Sequence, residues 1–172
     1  MKKSRQILVL FLLISACTPR QAYKKVNFTG MAQGTYYAVT YFDHLDRNFQ
    51  PQIDSLLQAF DMSVSMWVPE SVISRINRGE DTSVILDSIF INTYLLARTV
   101  AEESRGAFDY TVGPLVNAWG FGFEGRQKVD QALVDSLLPL VDYRNVDLAG
   151  NYVILHKKGI KFDFNAVAQG YS

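Results

Sequence analysis

The sequence predicts an α+β domain in which a mixed or antiparallel sheet is flanked by helices. Two observations carry that expectation. Strand-like runs rich in β-branched and aromatic residues cluster near residues 25–42 and 145–164, and apolar residues at helical spacing fill the stretch between them. Helices and hairpins are interspersed without regular strand–helix–strand units, which argues against a doubly wound parallel sheet. The 172 residues fit one domain, and 48% of them are hydrophobic, enough for a core.

The first segment reads as a processing signal. Lys2, Lys3 and Arg5 precede an apolar run from Ile7 to Ile14, far shorter than the ~20 residues that span a bilayer. Ile14-Ser15-Ala16-Cys17 then matches a bacterial lipobox, which is cut just before a cysteine that becomes lipidated. Residues 1–16 are expected to be a lipoprotein signal peptide and 17–24 a lipidated start and spacer, with the domain running over 25–172. Cys17 is the only cysteine, so no intrachain disulfide is possible. The expected location is outside the cytoplasm, on the periplasmic side of a bacterial cytoplasmic membrane. A diacylglyceryl cysteine supplies the two chains that stable anchoring requires.

Lys25 to Phe28 and Tyr36 to Phe42 are expected as strands, with a turn over Gly30 to Gly34. Pro51 suits the start of a helix, and Ile53, Leu56, Leu57, Phe60 and Val64 recur at its spacing. A shorter helix over Ser71 to Asn77 would end at Gly79. Asp87 can cap a long helix whose inner stripe is Phe90, Thr93, Leu96, Ala97, Val100 and Ala101, with Gly106 at its end. A short helix near Val112 to Ala118 and another over Val129 to Leu138 follow. Three final strands are expected, Asn145 to Leu148, Tyr152 to His156 and Ile160 to Phe164, with Lys158-Gly159 as a hairpin turn. There is no internal repeat and no low-complexity segment.

Charge narrows the partners. Lys+Arg and Asp+Glu both number 17, and no basic cluster marks a nucleic-acid surface, so nucleic acid is not an expected partner. His44 and His156 are the only histidines, and no H-x-x-H, C-x-x-C or H-E-x-x-H spacing supports zinc. The G-x-S-x-G elbow of a serine hydrolase is absent, and Gly120 to Gly125 is neither a P-loop nor a G-x-G-x-x-G turn.

Chemistry concentrates instead at element ends. Ala32-Gln33-Gly34-Thr35 is a polar turn that could be only a hairpin loop. Trp67, beside Pro69, could be a packing residue or could stack on a planar ring. Asp109 and Thr111 could cap a helix or face a ligand. The last residues, Lys161 to Ser172, read as a strand entering a helix, with Asp163 and Asn165 at a junction suited to a phosphate or its metal. The expectation is that the chain stops inside this motif and that the domain is incomplete at its C-terminus.

Four segments in order now resemble a known family: Ala32 to Tyr37, Met66 to Asn77, Gly106 to Val116 with Trp119-Gly120, and Asp163 to Tyr171. Together with the lipobox they are similar to the ApbE family, the FAD:protein FMN transferases. The resemblance implies a Mg²⁺-dependent enzyme with FAD as substrate. It would join FMN to a Thr or Ser hydroxyl of an exported flavoprotein subunit, such as part of a redox-driven ion pump or a related electron-transfer protein, and AMP would leave. It further implies that Gln33, Trp67, Ala107, Phe108, Asp109, Asp163 and Gln169 contact FAD, and that the Ala166 carbonyl is a metal ligand. Gln33 stands where many members have Met, and Gln169 where they have Lys or Glu. No general base or other catalytic side chain is identified, and the remaining metal ligands are expected in a later segment, so that the chain as it stands would have little transfer activity. An FAD pyrophosphatase giving FMN and AMP, and a non-catalytic flavin-binding lipoprotein, are the alternatives.

Overall fold

A computed structural model of the chain describes residues 22–80, 84–122 and 128–172. The signal segment and Cys17 lie outside these residues, as does part of the Gly120 to Gly125 stretch.

The chain enters through a hairpin, β1 (Lys24–Ala32) and β2 (Thr35–Asp43), paired antiparallel with Ala32 opposite Thr35. The expected turn over Gly30 to Gly34 shrinks to Gln33-Gly34, because Gly30, Met31 and Ala32 stay in the ladder. Both turn residues take positive φ, 52° and 73°, the geometry of a tight two-residue hairpin turn. At the far end Asp43 fixes the exit: its carboxylate accepts from the Arg47 guanidinium at 2.6 Å and from the backbone N–H groups of Arg47 and Leu45. The Arg47 side chain, followed by its backbone N–H, holds that carboxyl well below the usual range.

Helix α1 (Gln50–Val64) carries Pro51 in its first turn and buries Phe60, Ser63 and Val64, while Leu56 of the expected stripe faces solvent. A short α2 (Val72–Arg75) is capped by the Ser71 side chain and closes through a turn at Ile76–Glu80, where Gly79 takes φ 86°. Helix α3 (Ser88–Glu103) starts as expected, with Asp87 accepting from Phe90 N–H at 2.8 Å. Its inner face holds Phe90, Thr93, Tyr94, Ala97 and Ala101. Tyr94 replaces the expected Leu96, which is 39% exposed. The end is a paired closure, Gly106 N–H to Ala101 O and Arg105 N–H to Glu102 O. In it Arg105, not only Gly106, adopts the left-handed conformation.

Helices α4 (Gly113–Ala118) and α5 (Gln131–Leu137) follow, the latter capped by Asp130. Short 3₁₀ turns lead to a second hairpin, β3 (Val146–Ala149) and β4 (Tyr152–Leu155), turning at Gly150-Asn151. Among the described residues the sheet content is therefore two separate antiparallel pairs. The third expected strand, Ile160 to Phe164, pairs with no strand among the described residues. It makes one parallel bridge, Lys161 to Val112, so Lys158-Gly159 joins no hairpin. Its backbone groups are satisfied otherwise: Asn77 Oδ1 accepts from Phe162 N–H at 2.7 Å, and Asn77 Nδ2 donates to Phe162 O at 2.9 Å. The final helix, α6 (Asn165–Tyr171), follows directly.

One core joins α1, α2, α3, the second hairpin, the Ile160 to Phe164 segment and α6. Phe90, Tyr94, Tyr110, Phe162 and Phe164 are each 2% exposed or less. Tyr110 and Phe162 stack with rings 7° apart, and Phe90 meets both phenylalanines edge-on. No helix among the described residues is long and apolar enough to cross a membrane.

Candidate functional site

Trp67 is the pivot of the site. It follows α1 by a few residues, where Ser65 Oγ accepts its backbone N–H at 3.3 Å, and its side chain is 60% exposed. Cavities of about 200 Å³ and 240 Å³ share it as a wall. The first is lined mainly by apolar groups, including Met66, Pro69, Val116 and Phe162, with Asp163 and Lys161 at its side. The second is more polar and brings together Gln33, Asp61, Ser65, Asn165 and Gln169. The exposed part of the indole offers a stacking surface to a planar ring.

Asp163 owes its position to the strap that precedes it. Asn77 grips Phe162 through both backbone groups, and Asp163 N–H donates to Tyr110 O at 2.8 Å. Gly113 permits the close approach of this strap to α4, since a Cβ there would lie 2.7 Å from Lys161 O. The Asp163 side chain is 7% exposed, and Oδ1 accepts from Asn165 N–H at 2.9 Å. Burial pushes its carboxyl above the usual range, against the pull of the Asn165 N–H.

Of the residues implied by the resemblance, Gln33, Trp67, Asp163 and Gln169 therefore line the paired cavities. Ala107, Phe108 and Asp109 do not. Ala107 is exposed, and Phe108 is half-buried with its N–H donating to Ser104 Oγ. Asp109 caps no helix: Oδ1 accepts from Thr111 N–H and Oγ1, and Oδ2 accepts from Tyr143 N–H at 2.9 Å. Thr111 Oγ1 in turn accepts from Asp142 N–H at 2.9 Å. These bonds tie the loop to the 3₁₀ turn, and Asp109 lines a separate polar cavity with Glu102, Arg105 and Arg144. Ala166 lies exposed in the first turn of α6.

Sequence reasoning passed over two residues of this region. Asn77 holds a segment 85 residues away, a pairing that no local pattern encodes. Asp61 reads as an ordinary polar position on α1, yet it accepts the Gln33 backbone N–H at 3.4 Å and lines the second cavity. For a metal the donor set is thin. Among the described residues no three His, Cys, Asp or Glu side chains come together, and Ala166 offers only a backbone carbonyl. These residues do not by themselves make a magnesium site.

This arrangement of elements is shared with solved flavin transferases. The flavin transferase ApbE from Vibrio cholerae superposes with a TM-score of 0.78 at 26% identity, over 87% of this chain and 50% of that one. The ApbE protein from Thermotoga maritima gives 0.75 at 26% identity, over 86% of this chain and 50% of that one. The α+β fold is thus that of flavin transferases, and the chain belongs to the ApbE family, whose model matches residues 33–172. A relative from Vibrio cholerae serotype O1, named FAD:protein FMN transferase, is 28% identical over 178 residues, covering 95% of this chain and 51% of its own length. One of the same name from Haemophilus influenzae is 28% identical over 127 residues, covering 70% of this chain and 37% of its own length. The chain spans 51% and 37% of the length of these two curated relatives.

Proposed function

We propose that the protein transfers FMN from FAD to a Thr or Ser hydroxyl of an exported flavoprotein subunit, with release of AMP. The observation that carries this reading is the exposed indole of Trp67 standing between two cavities, with Asp163 beside one and Gln33 and Gln169 in the other. Two neighbouring cavities with a shared aromatic wall suit a ligand that carries two ring systems, as a dinucleotide does. Family membership and relatives named for this activity support the same conclusion.

The reaction is phosphoryl transfer at the FMN phosphate: the acceptor oxygen bonds to phosphorus as the bridging oxygen leaves with AMP. The hydroxyl proton goes to solvent or to a base outside the residues named here. What this chain contributes is position, since ring stacking and edge contacts hold the pyrophosphate in one place. Magnesium, when bound, would neutralise pyrophosphate charge, with the Ala166 carbonyl as this chain's contribution to its ligands. Ala107, Phe108 and Asp109 belong to the FAD site in this reading, and their loop is steadied by the bonds of Asp109 to Thr111 and Tyr143. Export and lipidation at Cys17 are part of the same proposal. The motif Ile14 to Cys17 supports them, and acyl labelling that disappears in Cys17→Ser would test them.

Incubation of the full chain with FAD, Mg²⁺ and an acceptor flavoprotein subunit tests the reaction. Covalent flavin on the acceptor is expected. Free FMN and AMP without acceptor labelling would show a pyrophosphatase, and FAD binding without turnover a flavin-binding lipoprotein.

A further inference from the structure

We propose that Asp61 and Gln33 together read the hydrogen-bonding edge of a nitrogen heterocycle held against Trp67, which makes Asp61 a specificity-determining residue of the dinucleotide site. This rests on the FAD reading above. It concerns the second cavity, and it assigns a role to a side chain that neither the motifs nor the family resemblance picks out.

The fold leaves polar capacity unused at this place. Asp61 sits in the last turn of α1, half-buried, with Oδ2 accepting the Gln33 backbone N–H at 3.4 Å. Its other oxygen has no hydrogen-bond partner among the described residues. Gln33 is held at φ 52° in the hairpin turn, a conformation that a non-glycine residue adopts at a cost. Its Nε2 is buried with no acceptor among the described residues. Such a donor is unfavourable until it is paired, and buried amides in folded proteins are nearly always paired. The terminal torsion of a glutamine is soft, so a small rotation turns this donor into the adjoining cavity. An acceptor then stands beside a donor, next to an exposed indole face.

That pair complements a ring edge on which an N–H lies beside a lone pair. Both rings of FAD present one: the 6-amino group of adenine beside N1, and flavin N3–H beside a ring carbonyl. An ionised carboxylate only accepts. Asp61 therefore favours a ring that donates at this position and disfavours one that places a carbonyl there, because two acceptors cannot pair and both lose solvent. The Gln33 amide supplies the matching donor, and Trp67 the stacking surface.

Titrations of the full chain with FAD, AMP, IMP and riboflavin, for the parent and for Asp61→Asn, decide the matter. FAD and one of its halves, AMP or riboflavin, should bind Asp61→Asn about tenfold or more weakly, the other half being little changed. The affected half identifies the ring in this cavity. If that half is AMP, IMP should gain on AMP in Asp61→Asn, because the new amide donates to the 6-oxo group. Gln33→Met should weaken the same half, and it carries the test should Asp61→Asn fail to fold, as checked by circular dichroism. Unchanged binding of FAD and of both halves by the variants would overturn the proposal, and so would an equal loss of both halves. A parent chain that binds no FAD would defeat the function proposed above, a separate result from FAD binding that is indifferent to Asp61.

Discussion

Asp163 is a carboxylate placed where ionisation is least favoured, 7% exposed beside the aromatic core. Burial raises its pKa above the unfolded value. Its favourable contribution to stability is therefore complete below the unfolded pKa and is lost as pH rises through the folded one. Asp163→Asn should accordingly raise the melting temperature, more at pH 7 than at pH 4, while weakening FAD binding. Melting curves at the two pH values, with an FAD titration, test both halves of that statement. Trp67 sits at the opposite extreme. With a side chain 60% exposed, its loss should change stability little. Removal of a stacking face should cost about 1–3 kcal/mol of ring binding, so Trp67→Ala should weaken FAD binding by roughly ten- to a hundredfold, read from quenching of flavin fluorescence. Both residues were visible in the sequence as polar or aromatic groups at element ends. What they face was not.

The elements divide between those written locally and those that are not. Helix α3 is of the first kind: Asp87 accepts from Phe90 N–H, and the periodicity of its small and aromatic residues defines the buried face. Asp87→Ala should cost about 1 kcal/mol for the cap. The loss of its bond from Ser63 Oγ adds to that, and urea denaturation measures the sum. The end of the helix is less economical, because Arg105 occupies a left-handed position at φ 55°. Arg105→Gly should stabilise the protein by about 1 kcal/mol. The segment Ile160 to Phe164 is of the second kind. Its alternation of residues suggested a strand, but no partner strand lies beside it among the described residues, and the side chain of Asn77 supplies the bonds that a ladder would. Asn77→Ala would leave two buried backbone groups of Phe162 unpaired. A cost of about 1–3 kcal/mol for each is expected, together with weaker FAD binding as Asp163 shifts.

At the scale of the whole molecule, a single core ties the site to stability. Phe162 lies within it, 0% exposed, and is followed directly by Asp163. Phe162→Ala should cost about 3–5 kcal/mol, a large share of the 5–15 kcal/mol typical of a domain. Calorimetry should show one unfolding transition at a lower temperature, not a separate melting of the site.

The sequence by itself determined the class, α+β, and the start of each major helix, because caps and apolar spacing are properties of neighbours along the chain. It also determined the family, through four short segments in a fixed order. The tertiary structure decided which of their residues stand together. Trp67, Asp163, Gln33 and Gln169 meet around two cavities, while Asp109 spends both carboxylate oxygens on its own loop and on Tyr143. It also decided that a strand-like segment would be a strap, and that Asp61 would stand beside Gln33. Those outcomes depend on contacts between residues far apart in sequence, whose free energies exist only once the chain has closed on itself.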